Sequence, residues 1–103
     1  MENNLQLKIF PAAQSDLEQI FQYISAELCN PTAARELIEA FEKALDNVCA
    51  FPQICPLTDN EYARDKTLRK LVVNNYIAFY RATDSEIQVI RVIYGMRNFT
   101  DIL

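Results

Sequence analysis

The sequence predicts an α+β fold, in which a helical hairpin packs on one face of a small antiparallel sheet in the order β-α-α-β-β-β. Two long segments repeat apolar residues with the period of a helix, and several shorter segments alternate as strands do. The chain contains one glycine, Gly95, which disfavours a sandwich or barrel because those folds need many tight turns. The 103 residues are expected to form a single domain over positions 1–103.

A strand and a helix are predicted at the start of the chain. Leu5, Leu7 and Ile9 alternate with mainly polar neighbours, as in a half-buried strand. Pro11 ends this strand and suits the first turn of a helix. The apolar stripe of that helix, about four turns long, consists of Leu17, Ile20, Phe21, Ile24 and Leu28.

Asn30 and Pro31 are predicted to separate this helix from a second one. Asn30 suits the position that caps a helix, and Pro31 suits the first helical residue. Phe51 precedes Pro52 and should end the second helix, because a residue before proline avoids the α region. Such a short link between two amphipathic helices predicts an antiparallel hairpin. The residues expected to be buried in the second helix are Ala34, Leu37, Ile38, Phe41, Leu45 and Val48.

Three strands are predicted after a loop over residues 53–66. Segments 67–73, 76–82 and 86–94 are rich in β-branched and aromatic residues. Asn74-Asn75 and Asp84-Ser85 separate them and are suited to tight turns, which predicts an antiparallel meander.

Both faces of this meander are predicted to be apolar. One face should carry Tyr76, Ala78 and Tyr80 of the middle strand, and the other Ile77 and Phe79. The last strand should likewise divide into two sets, Ile87, Val89 and Ile93 against Ile90, Val92 and Tyr94. One helical layer covers only one face of a sheet. We therefore expect a partner to cover the second, arginine-bearing face.

Charge is distributed unevenly along the chain, whose net charge is −4. Residues 1–60 carry three cations against nine carboxylates, whereas residues 61–103 carry seven against five. Five of those seven late cations are arginine, which suits bidentate contact with phosphate or carboxylate.

No cofactor or metal is expected, because the chain has no histidine and no Cys-x-x-Cys pair. Cys29, Cys49 and Cys55 cannot all pair, and we expect them to be small apolar fillers in a reducing compartment. No apolar run approaches the roughly 20 residues that cross a bilayer, and no signal peptide is evident. These features predict a cytoplasmic protein without a membrane partner.

Several segments resemble the RelE/ParE superfamily of toxins, and together they span essentially the whole chain. The matching segments are residues 15–24, 30–34, 51–52, 69–71, 76–81 (YIAFYR) and 91–97. The resemblance implies the toxin of a type II toxin–antitoxin system of the plasmid-stabilisation kind, which inhibits growth until a cognate antitoxin neutralises it. The implied antitoxin is small, with a DNA-binding N-terminal part and an acidic or amphipathic C-terminal half, so the toxin would reach operator DNA only through it. Tyr76, Tyr80 and Tyr94 are the expected antitoxin contacts.

The resemblance leaves two mechanisms open, because RelE-like members cut messenger RNA on the ribosome whereas ParE-like members poison DNA gyrase. Lys70 and Arg97 match the catalytic lysine and the phosphate-binding arginine of a RelE-like nuclease. Ile77 stands where that nuclease has an arginine, and Leu103 where it has a terminal tyrosine. Tyr94 could serve as an acid or base only with strong tuning, since a phenol titrates near pH 10, and packing is the favoured interpretation.

The incomplete catalytic set favours a ParE-like, gyrase-directed toxin. The alternatives are a ribosome-dependent messenger RNA endoribonuclease and a decayed, non-toxic module that only binds antitoxin. For gyrase or the ribosome, the predicted target- or phosphate-binding residues form one surface: Arg69, Lys70, Arg81, Arg91 and Arg97. Arg81 and Arg91 have the alternative of pairing with Asp84 or Glu86 across the last hairpin.

Overall fold

A computed structural model describes residues 5–57 and 67–95 of the chain. Its elements are β1 (Gln6–Ile9), α1 (Pro11–Gln22), a turn of π-helix (Tyr23–Glu27), α2 (Pro31–Ala50), β2 (Arg69–Val73), β3 (Tyr76–Ala82) and β4 (Glu86–Tyr94). Their order confirms the predicted fold class, a helical layer on a small sheet. Part of the loop predicted over residues 53–66 lies outside the described residues.

The four strands form one mixed sheet in the order β1-β4-β3-β2. β2 pairs with β3, and β3 with β4, in antiparallel orientation, which confirms the predicted meander. β1 runs parallel to β4, with Gln6 opposite Glu86 and Ile9 opposite Val89. The sheet is therefore mixed, whereas the sequence predicted an antiparallel sheet throughout. No tight turn joins β1 to a neighbouring strand, because the helices intervene and set its direction.

The boundary between the helices follows the predicted capping chemistry. Asn30 Oδ1 accepts a hydrogen bond from the backbone N–H of Ala33 at 3.1 Å, and Pro31 is the first residue of α2. Cys29, just before the cap, adopts a φ of 53°, which turns the chain out of the preceding helix. Neither the α-helices nor the π-helical turn has the length and apolar character needed to cross a bilayer.

The first helical segment differs from its prediction, because α1 changes to a π-helix at Tyr23. A π-helix has more residues per turn than an α-helix, so Leu28, at the end of the π-helix, leaves the side of the helix predicted for it. Leu17, Ile20 and Ile24 pack against the core, whereas Phe21 and Leu28 remain exposed.

The main core lies between α2 and the face of the sheet that carries Tyr80, Ile87 and Val89. Of the α2 residues predicted to be buried, all are buried except Ile38, which is half-buried. Tyr80 has no accessible surface, and its hydroxyl donates to the carbonyl of Pro52 at 3.1 Å. Burial raises the pKa of Tyr80 above its ordinary value, so this hydroxyl remains a donor at neutral pH.

A β-bulge in β4 changes which residues face the main core. Phe79 pairs with Arg91 and Tyr80 with Val89, which leaves Ile90 as the extra residue. Side-chain alternation therefore shifts by one position at Ile90, and Val92 instead of Ile93 joins the main core. The predicted grouping of Ile93 with Ile87 and Val89 was wrong for this reason.

The second face of the sheet is not open at its apolar centre, contrary to the prediction. Ile77, Phe79 and Ile93 form a second cluster, with exposed fractions of 9%, 0% and 2%. A partner therefore cannot reach these side chains without rearrangement of the protein.

The cysteines also depart in part from expectation. Cys49 and Cys55 are buried fillers, as predicted, but Cys29 is exposed because it lies in the turn before α2.

Candidate partner-binding cleft

A cleft of about 940 Å³ lies where the end of the first helical segment faces the β2–β3 turn and the end of β4. Three tyrosines line it, Tyr23, Tyr76 and Tyr94, and we call it the tyrosine cleft. Its polar lining residues are Asp16, Gln19, Asn30, Asn74 and Asn75. Aromatic surface with a polar rim is the composition of many protein-binding sites.

The tyrosines of the cleft differ in how firmly they are held. Tyr76 and Tyr94 are cross-strand partners, with ring centroids 5.6 Å apart and ring planes at 67°. Tyr76 also packs against Phe41 of the core, at 6.5 Å between centroids. Tyr23 and Tyr94 are 53% and 43% exposed, so the cleft holds one anchored ring and two rings that a partner could cover. Burial, Tyr94 and Tyr23 raise the pKa of Tyr76, which keeps its hydroxyl neutral.

Asp16 joins α1 to β4 at one side of the cleft. Its carboxylate accepts hydrogen bonds from Arg91 Nε at 2.7 Å and Arg91 Nη2 at 2.9 Å, and from the backbone N–H of Val92 at 2.9 Å. β1 ends opposite Val89, so the next part of β4 has no β1 residue beside it. The Asp16 carboxylate takes the place of a strand acceptor there, and its hydrogen bond raises the pKa of Arg91.

The turn between β2 and β3 completes the cleft. Asn74 in this turn has a φ of 54°, a left-handed conformation that asparagine tolerates. The carbonyl of Asn75 accepts a hydrogen bond from the N–H of Gly95 at 2.7 Å. A Cβ atom at position 95 would lie 3.1 Å from that carbonyl oxygen, so the close approach favours glycine. Tyr76, the next residue, is thereby held beside Tyr94.

The predicted basic residues are largely engaged inside the protein. Arg69 Nη1 donates to the carbonyl of Cys55 at 2.6 Å. Arg81 Nε and Nη2 both donate to Gln88 Oε1 at 3.1 Å, and Arg91 pairs with Asp16. The cross-hairpin pairing of Arg81 and Arg91 with Asp84 or Glu86, an alternative drawn from the sequence, is replaced by these partners. Arg97 lies outside the described residues.

The described cations do not form the single surface that the sequence predicted. Lys70 lies opposite Phe79, and Arg81 follows two residues later on β3, which places both on the second face. Arg69 lies opposite Tyr80 and therefore on the helical face. Arg91 also lies opposite Phe79, so three of the predicted target-binding residues are on the second face. Arg91 is bound to Asp16, however, and Arg69 to the carbonyl of Cys55.

The three predicted antitoxin contacts are also divided by the structure. Tyr76 and Tyr94 lie together in the tyrosine cleft, whereas Tyr80 is enclosed in the core and has no surface to offer a partner. Sequence reasoning missed Tyr23 and Asp16 as parts of this site. Both lie in the helical segment that carries the family resemblance, but Tyr23 falls outside the apolar stripe and Asp16 meets Arg91 only in three dimensions.

The positions matched to a nuclease site do not form one among the described residues. Ile77 is buried beside Phe79 and Ile93, so an apolar cluster occupies the place of the expected arginine. Lys70 is half-buried on β2, while Leu103 lies outside the described ranges. Within residues 5–57 and 67–95, no three histidine, cysteine or acidic side chains are placed to hold a metal ion.

Solved structures of other proteins share this fold. One is the chromosomal ParDE toxin–antitoxin system from P. aeruginosa, with a TM-score of 0.71, 19% identity, and coverage of 90% of this chain and 98% of that one. Another is the RelBE2 toxin–antitoxin complex from Mycobacterium tuberculosis, with a TM-score of 0.58, 16% identity, and coverage of 88% and 98%. No curated protein sequence matches the chain.

The family follows from the sequence itself. The model of the ParE toxin of the type II toxin–antitoxin system parDE matches residues 7–99. The chain belongs to this family of toxins, within the RelE/ParE superfamily, and the resemblance drawn from its segments is confirmed.

Proposed function

We propose that this toxin inhibits growth by binding DNA gyrase in the cytoplasm, and that a cognate antitoxin neutralises it. The observation that carries the proposal is the buried apolar cluster of Ile77, Phe79 and Ile93. Ile77 of this cluster stands at the position where a RelE-like nuclease has an arginine. Membership of the ParE family supports the same branch.

The chemistry of RNA cleavage explains why this cluster matters. Attack by a 2′-hydroxyl needs a base for its proton, a cation for the phosphate charge and an acid for the leaving oxygen. Arg69 and Arg91 are already bound to groups of the protein itself. Lys70 lies opposite Phe79, with Ile77 and Arg81 on either side, and Arg81 donates to Gln88. This arrangement supports target binding without catalysis of a chemical step.

The tyrosine cleft supports an antitoxin partner. Tyr23 and Tyr94 present half-exposed rings, and β4 beyond Val89 has no β1 residue beside it. An antitoxin segment could cover the two rings, whereas Asp16 already accepts the N–H of Val92 at this edge of β4. The ParDE and RelBE2 structures that share this fold are toxin–antitoxin systems, which supports a partner of the same kind.

Two assays with purified toxin test the target. Inhibition of gyrase supercoiling at micromolar toxin, together with accumulation of cleaved DNA, is expected. Toxin mixed beforehand with its cognate antitoxin should have no effect. In a parallel assay on translating ribosomes, messenger RNA should stay intact. RNA cleavage that disappears in Lys70→Ala would instead favour the endoribonuclease, and full growth of an antitoxin-free host would favour a non-toxic module.

A further inference from the structure

A second cavity, of about 380 Å³, lies between β1, α1 and α2 and shares no residue with the tyrosine cleft. We call it the acidic groove. Leu7 of β1 and Phe21 of α1 line it, and each is 40% exposed, so two large apolar side chains meet solvent on one small surface. Ile38 of α2, predicted to be buried, is only half-buried because it faces this groove.

The charges around the groove have one sign. Glu18, Glu42 and Asp46 line it, all are exposed, and no lysine or arginine is among its lining residues. None of the three has an ion-pair partner in the part of the chain that the structure describes. Glu42 and Asp46 are four residues apart on α2, a spacing at which like charges repel and weaken a helix. The fold therefore keeps an uncompensated repulsion beside an open apolar surface.

The edge of the sheet gives the groove a further polar wall. β1 is an edge strand, and Gln6 and Phe10 direct their N–H groups to β4. Alternation along a strand directs the N–H groups of Leu7 and Ile9 away from β4, towards the open side. Lys8 points to the other face of β1, where its ammonium lies 5.9 Å from the centroid of the Phe10 ring. It therefore does not neutralise the groove.

We infer that the acidic groove binds a basic amphipathic segment of the neutralising partner, a proposal that rests on the toxin–antitoxin function proposed above. The apolar side chains of that segment would cover Leu7 and Phe21, while its lysines or arginines would meet Glu18, Glu42 and Asp46. Nucleic acid and anionic membranes are poor occupants, since their phosphates would face carboxylates. The segment in the acidic groove is thus basic, in contrast to the acidic antitoxin tail that family resemblance allows, and it is separate from the segment that would cover the tyrosine cleft.

A pair of designed peptides tests the charge rule on the toxin alone. One is a labelled 14-residue helix of leucine and lysine, and the other has the same leucine pattern with glutamate in place of lysine. Fluorescence anisotropy should show binding of the lysine peptide only. Replacing Glu18→Gln, Glu42→Gln and Asp46→Asn together should weaken that binding about tenfold and flatten its salt dependence. Phe21→Ala should weaken it by a similar factor.

A matched variant separates the groove from general attraction to an acidic protein. Glu27→Gln, Glu36→Gln and Glu39→Gln together remove the same charge from exposed positions outside the groove, and should leave the affinity unchanged. Thermal unfolding followed by circular dichroism checks that each variant is folded.

Three results would overturn the inference. The first is that the groove variant and the control variant bind the lysine peptide with equal affinity. The second is that the glutamate peptide binds as tightly as the lysine peptide. The third is that no peptide binds and the toxin forms a concentration-dependent dimer that Phe21→Ala abolishes, which would assign the groove to a second copy of the chain. Because none of these measurements involves gyrase, a failure here and a failure of the proposed target are distinguishable.

Discussion

Asp16 and Arg91, which are 75 positions apart in the sequence, form a two-pronged ion pair that fixes α1 to β4. The same carboxylate binds the backbone N–H of Val92, so one side chain serves both as an ionic partner and as a substitute for a missing strand. Since Asp16 and Arg91 are only partly exposed, their contact is screened less than a surface pair. This contact is the clearest single link between the helical layer and the tyrosine cleft.

Asp16→Ala should lower the free energy of unfolding by about 2 kcal/mol, because it removes two charge-assisted hydrogen bonds and leaves the Val92 N–H without its acceptor. Urea unfolding measures this change. Arg91→Ala should cost less, since Val92 keeps its partner. A double variant whose loss equals the sum of the two single losses would show that the residues do not interact.

Asn30→Ala should destabilise the protein by about 1 kcal/mol, because the N–H of Ala33 loses the side-chain acceptor that begins α2. Asn30→Asp should retain most of the stability, as aspartate caps helices equally well. Thermal unfolding of both variants checks this prediction. An alanine variant as stable as the original chain would mean that Pro31 alone sets the start of the helix.

Asn74→Ala should lower the free energy of unfolding by about 1 kcal/mol, since alanine lacks the short polar side chain that lets asparagine tolerate a φ of 54°. Asn74→Gly should be close to neutral. Asn75→Ala is the matched control, because Asn75 has no positive φ. If Asn74→Ala and Asn75→Ala are equally mild, the turn does not depend on the left-handed residue.

Tyr94→Ala should reduce antitoxin affinity at least about tenfold, because it removes a half-exposed ring from the tyrosine cleft. Tyr80→Phe should leave that affinity unchanged and cost about 1 kcal/mol of stability, through the lost hydrogen bond to Pro52. Calorimetric titration with antitoxin, together with urea unfolding, measures both effects. Loss of affinity in Tyr80→Phe alone would place the antitoxin elsewhere.

Alkaline pH should destabilise the fold. Burial raises the pKa of Tyr80 above its ordinary value of 10.0, and that of Cys49 above 9.0. In both cases the unfolded chain loses the proton at a lower pH than the folded chain. The free energy of unfolding should thus be steady below about pH 9 and fall above it, most steeply beyond pH 10. Tyr80→Phe should flatten the upper part of this curve, which unfolding between pH 8 and pH 11 would show.

Local chemistry made some elements predictable from the sequence. Asn30 and Pro31 define the start of α2 through groups within a few residues of each other, and Asn74 marks its turn in the same way. The alternation of side chains along β3 correctly grouped Tyr76 with Ala78 and Tyr80 on one face, because β3 is regular throughout its length. Alternation failed at Ile93, since a bulge has no signature in a run of β-branched residues.

The site was less predictable than the fold, for a physical reason. Arg91 lies in a strand with acidic residues close by in sequence, yet its partner is brought to it by the packing of α1. Burial of Phe79 and Tyr80 on opposite faces likewise depends on the whole protein, and no property of the strand alone distinguishes them from exposed aromatics. Residue types therefore indicated candidates, whereas contacts decided which of them are available to a partner.

The extra residue at Ile90 has a consequence for how this segment can vary. Deleting Ile90 would make Val89 and Arg91 consecutive opposite Tyr80 and Phe79, so the ladder would become regular and Tyr94 would stay beside Tyr76. Deleting Val92 instead would place Arg91 opposite Ala78, on the face of the main core. The strand can thus lose its extra residue more readily than a residue that follows it.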